Sequence, residues 1–423
     1  MLTSLLSLTL FIQSAAPAVD PADPTPSTVA PTPSTVAPTP STVAPTPSTI
    51  APSAAAPATA TEPTTSALPQ TSAAPPKMDP AWFASVDRGL GVSVGDSFSA
   101  ELHFFTQLRL EQVISDDTRS PEFRVVMARP VLRGKLIRPW ISYFVQPELA
   151  GKSPALLDAE LTIFPHAAFG IKVGQFLTPF SREFLVPPFR LLFPDFAPSN
   201  IYFRDNRDLG LMLFGMPLDG HLEYYAGVFN GNGINQTPGG ARIMGIARLA
   251  ANLRGKPVYT ETPELDDTAT QLAFGLNATY GRHDLPLPAG SPAAAVAEIA
   301  PYATLGIDLT VHKGACSAQA EGYAKWQQLS GDVTQWSAGG YLHGGCFVYR
   351  RALQLAARAD VIDANLDTHA GLRAQAEGLL VYYVQGNHLK FQLRYAYGNV
   401  RGPDILTDAS TTHTLTLQGQ LQL

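Results

Sequence analysis

From about Gly91 to Leu423, apolar residues alternate with polar or small ones in segments of roughly ten to fourteen residues, the period-two signature of half-buried strands. "AELHFFTQLRLEQ" sets Leu102, Phe104, Leu108 and Leu110 against His103, Gln107, Arg109 and Glu111. "KFQLRYAYG" sets Phe391, Leu393, Tyr395 and Tyr397 against Lys390, Gln392 and Arg394, and "THTLTLQGQLQL" ends the chain in the same way. In "RDLGLMLFGMPLDGHLEYYAGVFNGNG", Leu209, Leu211 and Leu213 share one parity before the turn at "PLDG". Leu222, Tyr224, Ala226 and Val228 resume an apolar face after it, so the segment reads as a hairpin. About sixteen strands follow from the alternation. The pattern fades between Arg254 and Thr268 and in "LPLPAGSPAAAVAEIA", where strand and loop blur.

Soluble sandwiches also alternate, because one face of each sheet is wet. Two features favour a membrane barrel. Tight turns ("RPW", "PHAA", "PLDG", "HKGA", "YRRA", "VQGN") recur on one side of the strands, with mostly longer loops on the other. Aromatics gather near strand ends, at Trp140 and Tyr143, Tyr224 and Tyr225, Tyr382 and Tyr383, and Tyr395 and Tyr397. Short turns, longer loops, aromatic girdles and an even strand number describe a transmembrane antiparallel β-barrel. In lipid only closure satisfies every strand edge. Sixteen strands leave an aqueous lumen rather than a packed core.

Composition agrees. The 423 residues are 45% hydrophobic but only 15% charged, well under the usual quarter for a soluble domain. No stretch after the N-terminus reaches the ~18 apolar residues of a membrane helix. A net charge of −6 argues against nucleic acid as a partner. The expected organisation is a signal peptide (1–18), a linker (19–90) and a barrel (91–423). Leu5 to Ile12 is an apolar core of signal length, and Ala16-Pro17-Ala18 offers a cleavage site, although no Lys or Arg precedes the core. "PTPSTVA" then repeats from Pro24, Pro31 and Pro38, with "PTPSTIA" from Pro45. Two prolines per repeat forbid a helix and favour solvated polyproline II. Such a segment serves as a tolerated linker, or as a periplasmic spacer able to reach peptidoglycan.

Several motifs in order resemble the phosphate-selective porin O and P family of outer-membrane proteins. They are "FRVVMARPVLRG" (Phe123 to Gly134), "DAELTIF" (Asp158 to Phe164), "VGQFLTPFSRE" (Val173 to Glu183), "RDLGLMLFG" (Arg207 to Gly215), "LEYYAGVFNGNG" (Leu222 to Gly233) and the terminal "LTLQGQLQL". No single motif is specific; their order over Phe98 to Leu423 carries the resemblance. It implies a sixteen-stranded homotrimeric channel in the Gram-negative outer membrane, with the third extracellular loop folded inward as a constriction. The strand count places that loop independently, after the fifth strand of the count and from about Leu177 to Asn206. Two departures stand out: the chain ends in Leu423 rather than an aromatic, and it lacks a dense run of inward arginines and lysines.

Alternation assigns inward charges. Basic candidates include Arg129, Arg133, Lys135, Arg248, Lys325 and Arg394, with Arg109, Arg242, Arg358, Arg373 and Lys390 beside them. Acidic ones are Glu101, Glu111, Asp158, Glu160, Asp308, Glu321, Asp360 and Glu377, so the lining is nearly balanced. Arg129, Arg133 and Lys135 share one face of one strand and form the best local anion track. The constriction loop adds Arg182, Arg190, Arg204 and Arg207 beside Glu183, Asp195, Asp205 and Asp208. Arginine forks suit phosphate or carboxylate, while the neighbouring acids can pair with them and hold the loop's shape. Phe180, Phe184, Phe189, Phe193 and Phe196 would pin the loop to the wall.

No catalytic, metal or cofactor site is expected. No histidine joins a serine in a nucleophile motif, and "FNGNGINQTPGG" lacks the Lys-Ser/Thr of a phosphate loop. Cys and His spacing fits no zinc pattern. The expected function is passive diffusion of small hydrophilic solutes, with weak anion or phosphate preference. A structural or adhesive barrel and, less favoured, a barrel enzyme acting on lipid are the alternatives. Cys316 and Cys346 fall opposite each other on the outer face if their hairpin folds about Gly331, where an oxidising compartment permits a disulfide or two packed thiols.

Overall fold

A computed structural model describes residues 79–86, 88–115, 118–236, 242–257, 259–263, 270–284, 299–329, 333–369, 371–400 and 410–423. The signal-peptide expectation and nearly all of the linker lie outside these residues. Eighteen strands form one antiparallel sheet. A hairpin of β1 (Ala81–Ser85) and β2 (Gly89–Val94) leads into β3 (Phe98–Ser115), β4 (Thr118–Leu136), β5 (Arg138–Glu148), β6 (Ala155–His166) and β7 (Phe169–Leu177). After a long loop come β8 (Arg207–Gly215), β9 (Leu222–Phe229), β10 (Met244–Arg254), β11 (Gln271–Asp284), β12 (Ile299–Lys313) and β13 (Cys316–Gln328). The chain finishes with β14 (Thr334–Tyr349), β15 (Leu353–Asp363), β16 (Arg373–Gln385), β17 (Leu389–Val400) and β18 (Ser410–Gln422).

Strands β3 to β18 close on themselves as a sixteen-stranded barrel. β18 pairs with β3 from Thr412↔Ser115 to Gln422↔Phe105, and Leu423 exchanges both backbone hydrogen bonds with Phe104. Where β18 ends, β2 takes over the same edge of β3, from Leu90↔Leu102 to Val94↔Phe98. The edge of β3 therefore stays covered almost to its start. The residues of β1 fall within the span that the sequence assigns to the linker.

Burial is inverted relative to a soluble protein. Along the β8–β9 hairpin, Leu211 is 51% exposed and Val228 57%, while Glu223 is fully buried. On β3, Leu102, Phe104, Leu108 and Leu110 face out, and Arg109 and Glu111 are buried. An apolar exterior around a polar interior needs hydrocarbon outside, as in an outer-membrane barrel. The aromatic doublets correct the girdle in one respect. Tyr224 and Tyr382 share the outward parity, but Tyr225 and Tyr383 point inward, where their hydroxyls bond Glu223 and Gln354. Adjacent strand residues must face opposite ways, so a doublet supplies one belt residue at most.

Among the described residues, two segments enter the lumen. Thr178–Asn206, between β7 and β8, folds inward as two short helices, Arg182–Leu185 and Pro198–Phe203, joined by a 3-10 turn at Pro188–Arg190 and extended chain. Phe180 and Phe203 join a buried cluster with Phe176, Phe229, Tyr323 and Tyr341. Leu192 and Phe193 join a second with Leu379, Val381 and Tyr383. From the other end of the barrel comes the connection after β10, the stretch where alternation fades. It contributes no strand among its described residues. Instead Thr260, Glu261 and Thr262 are buried against the inward loop. Prolines at 257 and 263 flank them and suit extended chain rather than a sheet edge.

Cys316 pairs with Cys346 across β13 and β14, and the two form a disulfide. Both lie on the outward face.

Candidate constriction and vestibule

The inward loop is held by the side chains that alternation points into the barrel. On β17, Lys390, Gln392 and Arg394 stand every second residue, about 6.6–6.8 Å apart, and the extended run Leu191–Asp195 lies along them. Lys390 Nζ donates to Leu191 O at 2.7 Å, Gln392 Nε2 donates to Leu192 O at 2.7 Å, and Arg394 reaches Asp195 Oδ2 at 3.0 Å. From β3, Arg109 grips both oxygens of Asp195, at 2.8 and 3.0 Å. From β15, Arg358 donates to Asp195 O at 2.9 Å. Burial raises the Asp195 carboxyl, but Arg109 and Arg394 outweigh it and hold the group below the ordinary carboxylate range.

Deeper inside, charges are paired. Asp308 on β12 binds Arg248 at 2.5 Å and Arg182 at 2.7 Å, all with no exposed side chain. Glu321 accepts from the backbone N–H of Arg182 at 3.1 Å and of Glu183 at 2.6 Å. Glu183 in turn accepts from Ala197 N–H at both oxygens. Arg358 pairs with Glu377 at 2.6 Å and with Glu183 at 3.5 Å. These contacts fix the loop's path, because each broken pair would strand a buried charge.

Glu261, from the opposite connection, completes the plug. Its carboxylate accepts from Leu192 N–H at 2.7 Å, its own N–H donates to Arg190 O at 3.3 Å, and Ser317 Oγ donates to its carbonyl at 2.6 Å. Burial pushes its carboxyl up to about 7. The alternation contains no sign of this residue, since its segment is aperiodic. Glu183, Glu261 and His343 bring ligand atoms within 4.8 Å of one another. Both Glu183 oxygens are already engaged and Arg358 stands beside them, which disfavours a cation there.

The sequence candidates divide accordingly. Arg182, Arg248 and Arg394 lie in the paired network just described. Arg204 stacks over Phe184 at 3.8 Å and Phe196 at 4.9 Å. Arg207 opens β8 rather than belonging to the loop and pairs with Asp158 at 3.0 Å. Lys325 lies 5.0 Å over the Tyr302 ring. Arg129, Arg133 and Lys135 do share a face, yet they are not three free rungs. Glu148 holds Arg129 at 2.6 Å and Glu101 holds Arg133 at 3.2 Å. Lys135 and Arg190 are exposed, with no carboxylate within 4.0 Å among the described residues.

Between the plug and the short-turn end lies a cavity of about 900 Å³. Its walls include Arg133, Lys172 and Arg207 from the strands and Leu185 to Arg190 from the loop. Arg351, Asn387 and His388 from the turns line it as well.

No protein-family model matches the chain, and no curated protein sequence does. Solved structures do share its architecture. An anion-selective porin from Comamonas acidovorans superposes with a TM-score of 0.54 at 11% identity, over 77% of this chain and 100% of that one. The trimer form of OmpT, an outer membrane protein of Vibrio cholerae, gives 0.53 at 13% identity, over 77% and 99%. The outer membrane channel DcaP of Acinetobacter baumannii gives 0.53 at 10% identity, over 78% and 98%. At such identities the likeness is one of fold.

Proposed function

We propose that this chain forms a passive outer-membrane channel for small hydrophilic solutes, with a weak preference for anions. The observation that supports it best is the inverted barrel with a loop anchored across its lumen, an arrangement that narrows an aqueous passage and so selects by size and charge. The solved barrels of similar fold include an anion-selective porin and an outer membrane channel, which agrees with this reading. A phosphate preference, as the family resemblance implies, would fall to Lys135 and Arg190, and to Arg133, whose side chain stays about half exposed despite its contact with Glu101. The pairing of Arg129 with Glu148 removes it from that role. The reading includes no enzymatic step. It takes the protein as a homotrimer, exported by its N-terminal signal and carrying the proline-rich linker in the periplasm.

Planar-bilayer recording of the refolded protein is the test. Discrete conductance steps are expected, with a reversal potential in asymmetric KCl slightly toward chloride. Neutralising Arg133, Lys135 and Arg190 together should move it toward potassium, whereas Arg129→Gln should act through loop and wall stability. Absence of steps from correctly folded protein would remove the channel reading.

A further inference from the structure

The cavity beneath the plug is unlike a passage built only for ions and sugars. The loop run Leu185-Val186-Pro187-Pro188-Phe189 lines it, and Leu185, Pro187, Pro188 and Phe189 keep part of their surface open within it. Seven aromatic side chains line the cavity, five of them phenylalanines. Phe189 packs edge-on against Phe105, with ring centres 5.6 Å apart. Apolar surface held open to water is unfavourable, so a solute that covers it gains by doing so.

The charge beside these rings is specific in sign. Five cationic side chains line the cavity (Arg133, Lys172, Arg190, Arg207 and Arg351) against two acids, Asp158 and Glu160. Those two acids are engaged by Arg207 at 3.0 Å and Lys172 at 2.7 Å. Among the described residues, no carboxylate lies within 4.0 Å of Arg190 or Arg351. Arg190 is exposed and sits 5.9 Å from the centre of the Phe189 ring. A guanidinium beside an open aromatic face is complementary to a ligand with a planar apolar body and a carboxylate at one end.

We infer that this vestibule is a binding compartment for small aromatic carboxylates, with Arg190 taking the carboxylate and Phe189, backed by Phe105, taking the ring. The inference deepens the channel reading by naming a solute class, but the binding itself requires no conduction. Both ligand groups lie on the inward loop, so its anchoring at Lys390, Gln392 and Asp195 also positions the site. Glu261 N–H, bonded to Arg190 O, ties the second lumenal segment to the same residue.

Titration calorimetry on the folded full chain in detergent, with benzoate, acetate and benzyl alcohol as probes, tests this. Benzoate should bind about tenfold or more tightly than either probe that lacks the ring or the charge. Arg190→Gln should weaken benzoate about tenfold and leave benzyl alcohol unchanged, and Phe189→Ala should erase the advantage of benzoate over acetate. Heat-modifiable gel mobility checks that each variant has folded, and Arg351→Gln, at a half-buried turn position that also lines the cavity, should weaken benzoate less than Arg190→Gln does. Equal affinities for benzoate and acetate, or benzoate binding indifferent to Arg190→Gln or to Phe189→Ala, would overturn the inference. Benzoate binding without bilayer conductance would support the site while removing the channel reading. Conductance without selective benzoate binding would do the reverse.

Discussion

Asp195→Asn isolates the clamp that anchors the inward loop. The aspartate takes two hydrogen bonds from Arg109, at 2.8 and 3.0 Å, and one from Arg394 at 3.0 Å. An asparagine of the same shape retains one acceptor and turns an NH₂ toward a guanidinium. Arg109 keeps Gln418 as a partner at 2.7 and 2.9 Å, and Arg394 keeps Glu111 and Glu377 at 3.4 and 3.5 Å. Removing one partner of a buried pair costs about 3–5 kcal/mol. The Asp195 side chain is 34% exposed, so solvent screening lowers the expectation to about 2–3 kcal/mol. That corresponds to an approximately 30- to 150-fold shift from anchored to released loop. The barrel itself should survive, because its closure rests on the backbone ladder from β3 round to β18. The assay pairs limited proteolysis between Leu191 and Asn206 with single-channel recording. Faster cleavage and a larger, noisier conductance are expected, with unchanged heat-modifiable mobility. A loop as protected and a conductance as quiet as in the unaltered protein would refute the clamp.

Other expectations follow from the same geometry. Leu393 faces outward between Leu380 and Leu417, so Leu393→Arg should cost about 2–4 kcal/mol near the bilayer centre and impair folding into lipid vesicles; Lys135→Gln should fold normally. Gln392→Arg should not be innocuous, since Gln392 donates to Leu192 O, and it should raise the loop's protease sensitivity. Glu261 has its carboxyl raised by burial to about 7, above the ordinary value near 4.3. Its contribution to seating the plug is therefore full below about pH 4 and lost as pH rises through about 7. Conductance noise should grow between pH 6 and 8 in the unaltered protein and stay flat in Glu261→Gln. Alkylation of unreduced, denatured protein should label neither Cys316 nor Cys346, and prior reduction should expose both; labelling without reductant would mean free thiols.

The solvation of each face was legible in the residue order alone. A strand has a period of two and an outward or inward face, so Leu209-Leu211-Leu213 and Lys390-Gln392-Arg394 declare their sides without any tertiary information. The strand number, the loop after Leu177 and the apposition of Cys316 with Cys346 follow from counting along that period. What fills the lumen does not follow from it. Asp195 meets Arg109 and Arg394 across 86 and 199 residues, and nothing local distinguishes it from Asp205 or Asp208. Arg129 looked like a rung for anions until Glu148, on the neighbouring strand, took it. Glu261 and its neighbours left no periodic trace, because their backbone bonds the inward loop and β13 instead of a sheet edge. Strand faces are set by local backbone geometry, which every residue carries with it. Pairing inside a closed barrel is set by which distant side chains closure brings within hydrogen-bond reach, and only the assembled structure decides that.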